Sequence, residues 1–332
     1  MKAAVIGSGG WGTALAMRLL ANGHETVLWS HNAQKAAEMA VDRENPMLPG
    51  VRLPDSLAIT PDARCAAGRE LVVIAAPSFA IRPVCAQVAP YLAENAVLVS
   101  ATKGIEAGSL LRMSEVLEEI TGKTVVALTG PSHAEEVARS RPTGCLAASV
   151  SRVLAETVQD AFIGESFRVY TSPDIVGAEL GGALKNVIAL CVGVCDGLGF
   201  GDNAQAMLMT RGLTEIARLG VSLGANRDTF AGLAGVGDLI VTGTSRHSRN
   251  RRAGMLLGQG KTVREAMEEV GAVVEGYYCA RSAWELKERQ GVEMPIVEAA
   301  YDVLYRGESA RETVRRLLLR QRRAESEDAS WY

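Results

Sequence analysis

A glycine-rich turn between an apolar run and a helical segment constrains this fold most. Lys2–Ile6 (KAAVI) stops at Gly7, and helical composition begins by Thr13. The spacing Gly7-x-Gly9-x-x-Gly12 has a physical reading: Gly7 permits a tight turn, Gly9 lets backbone approach a diphosphate, and Gly12 allows close packing of helix on strand. The turn therefore predicts a dinucleotide site within a βαβ unit, and a glycine turn without a ligand is the alternative.

Short apolar runs recur through the first half of the chain. They are Glu25–Ser30, Leu71–Ala75, Val97–Ser100, Val125–Leu128 and Gly144–Ala148. Runs of this length between helical segments predict parallel strands buried on both faces, which is a Rossmann-type α/β domain. Gly-, Ser- and Lys-containing loops follow several of the runs, and the carboxyl ends of parallel strands line the ligand crevice.

The second half of the chain has a different texture. Long amphipathic stretches dominate after residue 170, at 173–195, 202–224, 262–270, 276–290, 294–306 and 309–323. Thr262-x-x-Glu265 and Ser309-x-x-Glu312 are spaced as capping boxes. We therefore expect a sheet domain over residues 1–172 and an all-α domain over residues 173–332.

Composition excludes several classes of protein. The net charge of −3 gives no general attraction to nucleic acid or to an anionic membrane. The apolar run Val187–Cys195 is about half as long as a membrane span, so no membrane-spanning helix is expected. Six cysteines without a CxxC pair favour reduced thiols and a cytoplasmic location. We read Cys191 and Cys195 as core residues rather than metal ligands, and no metal site is expected.

Arginine is frequent at the carboxyl end, from Arg311 to Arg323. The simplest interpretation is a solvated helix face followed by a frayed tail. Binding of RNA or lipid by this basic segment is the alternative.

The end of the second apolar run bears on cofactor choice. An NAD-restricted site usually places Asp or Glu there to hold the ribose hydroxyls, whereas this chain has Ser30, His31 and Asn32. Such residues accept a 2′-phosphate without charge repulsion, so we expect tolerance of NADP. His31 as a plain surface residue is the alternative. Trp11 either covers the cofactor or packs against the second domain.

Four further places carry candidate chemistry. Lys103 follows a strand at the crevice rim, and Ser132-x-x-Glu135 is either a capping box, a substrate contact, or both. Lys185 adjoins an apolar run, which lowers the pKa of a lysine and suits it to proton transfer; a snorkelling surface lysine is the alternative. The segment 245–252 (SRHSRNRR) offers forked donors for a phosphate dianion or, alternatively, a solvated helix start.

These residues carry a family resemblance that runs from Ala4 to about Leu319. Its marks are GSGGWGTALA (7–16), ATKG (101–104), TGPSHAEEVA (129–138), ELGGALKNVIA (179–189), GLAGVGDL (232–239), SRNRRAG (248–254) and VVEG (273–276). The chain resembles bacterial-type NAD(P)-dependent glycerol-3-phosphate dehydrogenases. The resemblance implies reversible reduction of dihydroxyacetone phosphate to sn-glycerol 3-phosphate with NADP(H) or NAD(H), supply of glycerophospholipid synthesis, and a homodimer.

The resemblance also implies residue roles. Together with the fingerprint glycines Gly7, Gly9 and Gly12, it assigns cofactor contacts to Gly10, Trp11, His31, Lys103, Ala134, Arg249, Val273 and Glu275. It assigns substrate contacts to Lys103, Gly130, Ser132, Lys185, Asp238, Ser248, Arg249 and Asn250, with Lys185 as proton donor and acceptor. Similar enzymes often carry Phe in place of His133, which makes this histidine an additional titrating group.

Two alternatives remain at this stage. One is a dehydrogenase of the same architecture that acts on a keto acid or a sugar acid, although the arginine-rich segment favours a phosphate substrate. The other is a dinucleotide-sensing module without catalysis, which would need neither Lys185 nor the substrate cluster.

Overall fold

The computed structural model describes residues 1–321 and 324–325. Two members of the arginine-rich end, Arg322 and Arg323, lie outside the described residues. Within the described part, the chain forms an amino-terminal sheet domain and a carboxy-terminal helical domain, as the sequence predicts.

The first domain is built on one eight-stranded sheet of order β3-β2-β1-β4-β5-β6-β7-β8. The strands are β1 (Lys2–Ile6), β2 (Glu25–Trp29), β3 (Ala58–Thr60), β4 (Leu71–Ile74), β5 (Val97–Ser100), β6 (Val125–Thr129), β7 (Thr143–Ala148) and β8 (Phe167–Ser172). Strands β1 to β6 are mutually parallel, and β7 pairs antiparallel with β6 and parallel with β8.

The antiparallel β7 corrects the expectation that the run at 144–148 is parallel to the others. A parallel crossover needs a connection that travels the length of the sheet, usually along a helix. The connection between β6 and β7 contains only a four-residue helix, Ala134–Val137. The chain therefore re-enters the sheet in the opposite direction.

Helices cover both faces of the sheet. They are α1 (Gly10–Ala21), α2 (Ala33–Asp42), α3 (Ile81–Val88), α4 (Met113–Thr121), α5 (Ala134–Val137) and α6 (Arg152–Phe162). Side chains alternate between the two faces along each strand, so Val5 lies in the core beneath α1 while Ile6 lies in the core beneath α3 and α4. The strands read as unbroken apolar runs because both faces are buried.

The second domain is entirely helical among the described residues. Its helices are α7 (Ile175–Gly197), α8 (Asp202–Ser222), α9 (Asp238–Thr244), α10 (Arg249–Gly258), α11 (Val263–Val270), α12 (Glu275–Gln290), α13 (Pro295–Tyr305) and α14 (Ala310–Leu318). The capping box at Thr262 and Glu265 forms. The one predicted at Ser309 does not, because Ser309 caps α14 without a side-chain hydrogen bond.

Helix α7 is the centre of the second domain. It packs against α8, α9, α10 and α12, which bury it almost along its full length. Among the described residues it alone has the length and apolarity to cross a membrane, and 89% of that apolar window is buried inside the protein. Burial of this extent is typical of a core helix. Cys195 on α7 is buried and Cys191 is half-buried, and burial raises the pKa of the Cys195 thiol to about 11.

Glycines let α7 and α10 approach each other closely. A Cβ atom on Gly254 would lie 1.9 Å from the carbonyl oxygen of Leu190, and one on Gly193 would lie 2.0 Å from the carbonyl oxygen of Arg251. The two backbones are therefore in direct contact, and no side chain fits between them. This contact places the start of α10 beside the middle of α7.

A buried ionic contact joins the two domains. Glu179 of α7 accepts hydrogen bonds from the Arg112 guanidinium and from both the backbone N–H and the hydroxyl of Ser114 at the start of α4. Burial raises the pKa of the Glu179 carboxyl above its usual value, while Arg112 and Ser114 oppose that rise. The contact fixes the first turns of α7 against the sheet domain.

We predict that Gly254→Ala destabilises the protein by about 2–3 kcal/mol, because the new methyl group must push α10 away from α7. Gly144→Ala is the matched control: its Cβ would meet Leu233 at an ordinary 3.6 Å. Chemical denaturation followed by circular dichroism measures both. Equal stability of the two variants would contradict the assigned contact.

Candidate active site

The glycine turn forms an open cradle at the start of α1. Gly7 has a φ of 128°, and a Cβ atom there would lie 2.5 Å from the carbonyl oxygen of Ala75. A Cβ atom on Gly12 would lie 1.9 Å from the carbonyl oxygen of Gly7, so only glycine allows helix and turn to meet. Gly9 has nothing within 4 Å of its Cβ position and caps α1 without a side-chain hydrogen bond. The turn is thus open beside Gly9 at the amino end of α1, which fits a diphosphate.

Polar groups continue the cradle at the end of β2. Ser30 is fully buried and accepts a hydrogen bond of 2.7 Å from the hydroxyl of Ser8, while His31 is exposed. Asn32 caps α2 by accepting the backbone N–H of Lys35. The Lys35 ammonium donates to the carbonyl oxygen of Ser8 at 3.0 Å. The sequence did not single out Lys35, because nothing local relates it to the glycine turn.

Trp11 is held within the sheet domain. Its indole N–H donates to the carbonyl oxygen of Ala101 at 3.0 Å, which ties the glycine turn to the loop after β5. Ala134 at the start of α5 lies across from Gly10, with 3.5 Å from the Cβ position of Gly10 to the Cβ atom of Ala134. These contacts bring three separate loops to one rim of the sheet.

An ionic cluster lies at the junction of the two domains. The Asp238 carboxylate accepts a hydrogen bond of 2.6 Å from Lys185 on one oxygen and one of 2.6 Å from Lys103 on the other. Lys185 also donates to the hydroxyl of Thr242, and Lys103 to the carbonyl oxygen of Gly130 at 3.0 Å. Asp238 and Lys185 are buried, and Lys103 is half-buried.

Burial and charge together set the proton affinities of this cluster. Burial lowers the pKa of Lys185 to about 8, and the neighbouring Lys103 adds to that effect while Asp238 opposes it. Burial alone would raise the pKa of Asp238, but Lys103 and Lys185 outweigh it and hold that pKa below its usual value. The cluster therefore contains an ionised carboxylate and a lysine that can exchange its proton near neutral pH.

Glycines in the segment before α9 make this cluster possible. Leu233–Gly237 forms a wide π-type turn that leads into Asp238. A Cβ atom on Gly181 of α7 would lie 2.5 Å from the carbonyl oxygen of Ala234, and one on Gly235 would lie 2.0 Å from that of Phe230. The turn thus lies directly on α7 and delivers the Asp238 carboxylate to Lys185.

Ser132 is placed differently from the predicted capping box. Helix α5 is capped by His133, and the Ser132 hydroxyl instead donates to the carbonyl oxygen of Gly130 at 2.9 Å. Gly130 has a φ of 133°. Its carbonyl oxygen accepts from both Ser132 and Lys103, so the turn after β6 belongs to the ionic cluster.

His133 faces the same cluster. Its ring Nε2–H donates to the carbonyl oxygen of Val241 at 3.3 Å, and its ring lies 6.4 Å from that of His247. Burial lowers the pKa of His133 below its usual value, and the charges of Lys185 and Lys103 act in the same direction. These effects favour the neutral form of His133.

The start of α10 supplies the next group of side chains. Ser248 caps α10 by accepting the backbone N–H of Arg251. Asn250 donates to the side-chain oxygen of Asn186 at 2.9 Å and accepts the backbone N–H of Gly276 at 2.8 Å. Arg249 is exposed at the first position of the helix. The segment thus presents one arginine at the helix start beside two buried polar residues.

Not every arginine of segment 245–252 belongs to this group. Arg251 pairs with Asp196 of α7 at 2.5 Å, on the side of α10 that packs against α7. The charge of Arg251 is already matched by Asp196.

Glu275 joins the two domains beside the cluster. Its carboxylate accepts the hydroxyl of Ser78 at 2.6 Å and the backbone N–H of Ser78 at 3.2 Å, and Val273 lies two residues before it in the chain. Burial raises the pKa of Glu275, while Ser78 and the charge of Arg249 oppose that rise. A Cβ atom on Gly104 would lie 2.4 Å from that of Ser78, so the loop after Lys103 closes tightly on this contact.

Besides Lys35, sequence reasoning gave no individual role to three residues of this site. Thr242 holds Lys185, Asn186 holds Asn250, and Ser78 holds Glu275. A signal existed for Thr242, which lies four residues after Asp238 on the same helical face. The described residues contain no group of three or more His, Cys, Asp or Glu side chains that could hold a metal ion.

Comparison with known proteins agrees with this geometry. Residues 2–155 match the family model for the NAD-dependent glycerol-3-phosphate dehydrogenase amino terminus, and residues 174–315 match the model for its carboxyl terminus. A glycerol-3-phosphate dehydrogenase [NAD(P)+] from Pelotomaculum thermopropionicum is 52% identical over 335 residues, which cover 99% of this chain and 96% of the relative.

A solved structure gives the same assignment. A glycerol-3-phosphate dehydrogenase from Coxiella burnetii superposes with a TM-score of 0.92 at 36% identity and covers 96% of this chain and 99% of its own. A ketopantoate reductase from Ralstonia eutropha has a TM-score of 0.61 at 15% identity, covers 95% of this chain and 100% of its own, and shares the fold alone. With both halves matched to the same family and half of its residues identical to a member, the chain belongs to the NAD-dependent glycerol-3-phosphate dehydrogenase family.

Proposed function

We propose that this chain catalyses the reversible NAD(P)H-dependent reduction of dihydroxyacetone phosphate to sn-glycerol 3-phosphate. The observation that carries the proposal is the buried Asp238 carboxylate at the junction of the two domains, which accepts hydrogen bonds from both Lys185 and Lys103. A lysine with a pKa near 8 can give and take a proton at neutral pH, which reversible ketone reduction requires.

The open cradle at the start of α1 is the proposed cofactor site. When bound there, the nicotinamide cofactor supplies the hydride that reduces the substrate carbonyl. The residues proposed to hold it are Gly7, Gly9, Gly10, Trp11, Gly12, His31, Lys103, Ala134, Arg249, Val273 and Glu275. Support comes from the open side of Gly9, from the convergence of the Trp11 and Lys103 loops, and from the position of Glu275 beside Ser78.

The proposed substrate site surrounds the ionic cluster. Its residues are Lys103, Gly130, Ser132, Lys185, Asp238, Ser248, Arg249 and Asn250. Arg249 supplies forked donors for the substrate phosphate, and Asn250 adds a fixed polar group beside it. Binding of the phosphate orients the carbon chain toward Lys185, so binding energy remote from the carbonyl contributes to the rate.

Lys185 performs the proton transfer. In reduction its Nζ–H gives a proton to the oxygen that develops negative charge, and in oxidation neutral Nζ takes that proton back. Thr242 and Asp238 fix the position of Nζ, since both accept hydrogen bonds from it. Lys103 contacts the other oxygen of the Asp238 carboxylate and stabilises negative charge on the same substrate.

We further propose a division into domains at residues 172 and 173, a cytoplasmic location and a homodimer. The last strand ends at Ser172 and α7 begins at Ile175, which supports the division. All six cysteines are free, as is usual in the cytosol. The dimer rests on the family resemblance, and light scattering after size-exclusion chromatography tests it. The product would supply glycerophospholipid synthesis.

We predict that Lys185→Met lowers kcat for reduction by about 10²- to 10⁴-fold, because the developing alkoxide loses its proton donor. Cofactor affinity, measured by quenching of tryptophan fluorescence, is expected to stay unchanged. Lys123→Met is the matched control, since that ammonium donates to a backbone carbonyl at the surface. Unchanged turnover in Lys185→Met would remove Lys185 from the mechanism.

The pH dependence follows from the lowered pKa of Lys185. Reduction needs the ammonium form, so its kcat/KM is expected to fall as pH rises through about 8, while that of oxidation rises. Asp238 raises the pKa of Lys185, so Asp238→Asn should move the inflection to lower pH. Glu215→Gln is the control, because Glu215 is a second buried group that titrates near neutral pH. Burial raises the pKa of its carboxyl to about 7, but this carboxylate caps the start of α13 and is not a member of the ionic cluster. If the inflection moves in Glu215→Gln and stays in place in Asp238→Asn, the assignment of the pH dependence to Lys185 is refuted.

We predict that Arg249→Ala raises KM for dihydroxyacetone phosphate on the order of tenfold, because a charge-assisted contact with the phosphate is lost. Its kcat is expected to change less. Arg251→Ala should leave KM unaltered, since Arg251 pairs with Asp196. Initial rates over a range of substrate concentrations measure both variants, and a raised KM in Arg251→Ala alone would place the phosphate elsewhere.

A further inference from the structure

Lys35 lies at the ribose end of the cofactor cradle. It occupies the first turn of α2, yet its ammonium reaches across to donate to the carbonyl oxygen of Ser8. Ser8 is the residue between Gly7 and Gly9, and its hydroxyl contacts Ser30 at the end of β2. Lys35 is thus the cation that joins the diphosphate turn to the strand end where the adenosine ribose binds in this fold.

The charge of Lys35 has no carboxylate partner in the described part of the chain. The nearest acid along α2, Glu38, accepts a hydrogen bond from Gln34 instead. Lys35 is half-buried, and burial lowers the pKa of its ammonium. An ammonium has three N–H donors, and the contact with Ser8 uses one of them. Two donors therefore remain for an anion at this position.

The surrounding residues accept additional negative charge. The acid that would hold the ribose hydroxyls and repel a 2′-phosphate is absent from the end of β2, where Ser30, His31 and Asn32 stand. Ser30 is buried, with its hydroxyl engaged by Ser8. His31 is exposed, so a contact that it makes is more strongly screened by solvent than one from half-buried Lys35.

We propose that Lys35 binds the 2′-phosphate of NADP(H) and makes this chain prefer NADP(H) over NAD(H). The inference rests on the proposed cofactor site but not on the identity of the substrate. Lys35 acts as a specificity-determining residue: its ammonium pairs with a phosphate that NAD(H) lacks, so the discrimination arises in cofactor binding.

Calorimetric titration tests the proposal without turnover. The ligands form two pairs, NADP⁺ with NAD⁺ and 2′,5′-ADP with 5′-AMP. The members of each pair differ only in the 2′-phosphate. Lys35→Gln is expected to weaken the binding of NADP⁺ and 2′,5′-ADP on the order of tenfold. The affinities for NAD⁺ and 5′-AMP are expected to change by less than about twofold. Lys35→Arg retains the charge and should retain most of the preference. Lys123→Gln removes a charge from a remote surface site and should change nothing.

Two results would overturn the proposal. Equal weakening of all four ligands by Lys35→Gln would mean that Lys35 only supports the turn through Ser8. An unchanged ratio of NADP⁺ to NAD⁺ affinity in Lys35→Gln, with a lost ratio in His31→Ala, would place the 2′-phosphate on His31. Because these titrations contain no dihydroxyacetone phosphate, failure of the proposed reaction would leave their result readable.

Discussion

The Asp238 carboxylate between two lysines is the interaction on which the site depends. One buried carboxylate with a single lysine would form an ordinary buried ion pair, whose lysine holds its proton firmly. Here Lys103 and Lys185 share the carboxylate, so each ammonium receives only part of its stabilisation. Burial lowers the pKa of Lys185, the more deeply buried of the two, and the charge of Lys103 adds to that effect, while the carboxylate remains ionised.

Holding this cluster together requires contacts between backbones. The Asp238 side chain is short, so the turn before α9 must lie directly on α7, and Gly181 removes the side chain that would prevent it. Gly235 lets the turn itself close on the backbone of Phe230. Helix α7 must in turn be fixed against the sheet domain, which carries Lys103. The buried contact of Glu179 with Arg112 provides that connection. The glycine-rich motifs of the second domain therefore serve close approach between segments.

Sequence analysis predicted those features of the fold that depend on local patterns. The glycine turn, the strand runs and the long helices follow from spacing within about twenty residues, and Lys185 was identifiable from its apolar flank. The partner of Lys185 was not, because Asp238 lies 53 residues away and only the packing of α9 on α7 joins them. The reversed direction of β7 also escaped, since it depends on the length of α5. The Ser132-x-x-Glu135 spacing resembles a capping box, but the Ser132 hydroxyl can also donate to the carbonyl oxygen of Gly130. The local spacing does not distinguish these two hydrogen bonds.

The arrangement of charges explains how a buried lysine can lose and regain a proton. If Asp238 were paired with Lys185 alone, deprotonation of Lys185 would leave a buried carboxylate without a cation, which is strongly unfavourable. With Lys103 on its second oxygen, Asp238 stays paired in both states. The protonated cluster carries one surplus positive charge, which suits a site that receives an anionic substrate. Proton transfer removes that surplus as the negative charge that develops on the substrate oxygen is neutralised, and it leaves Lys103 and Asp238 as a matched pair.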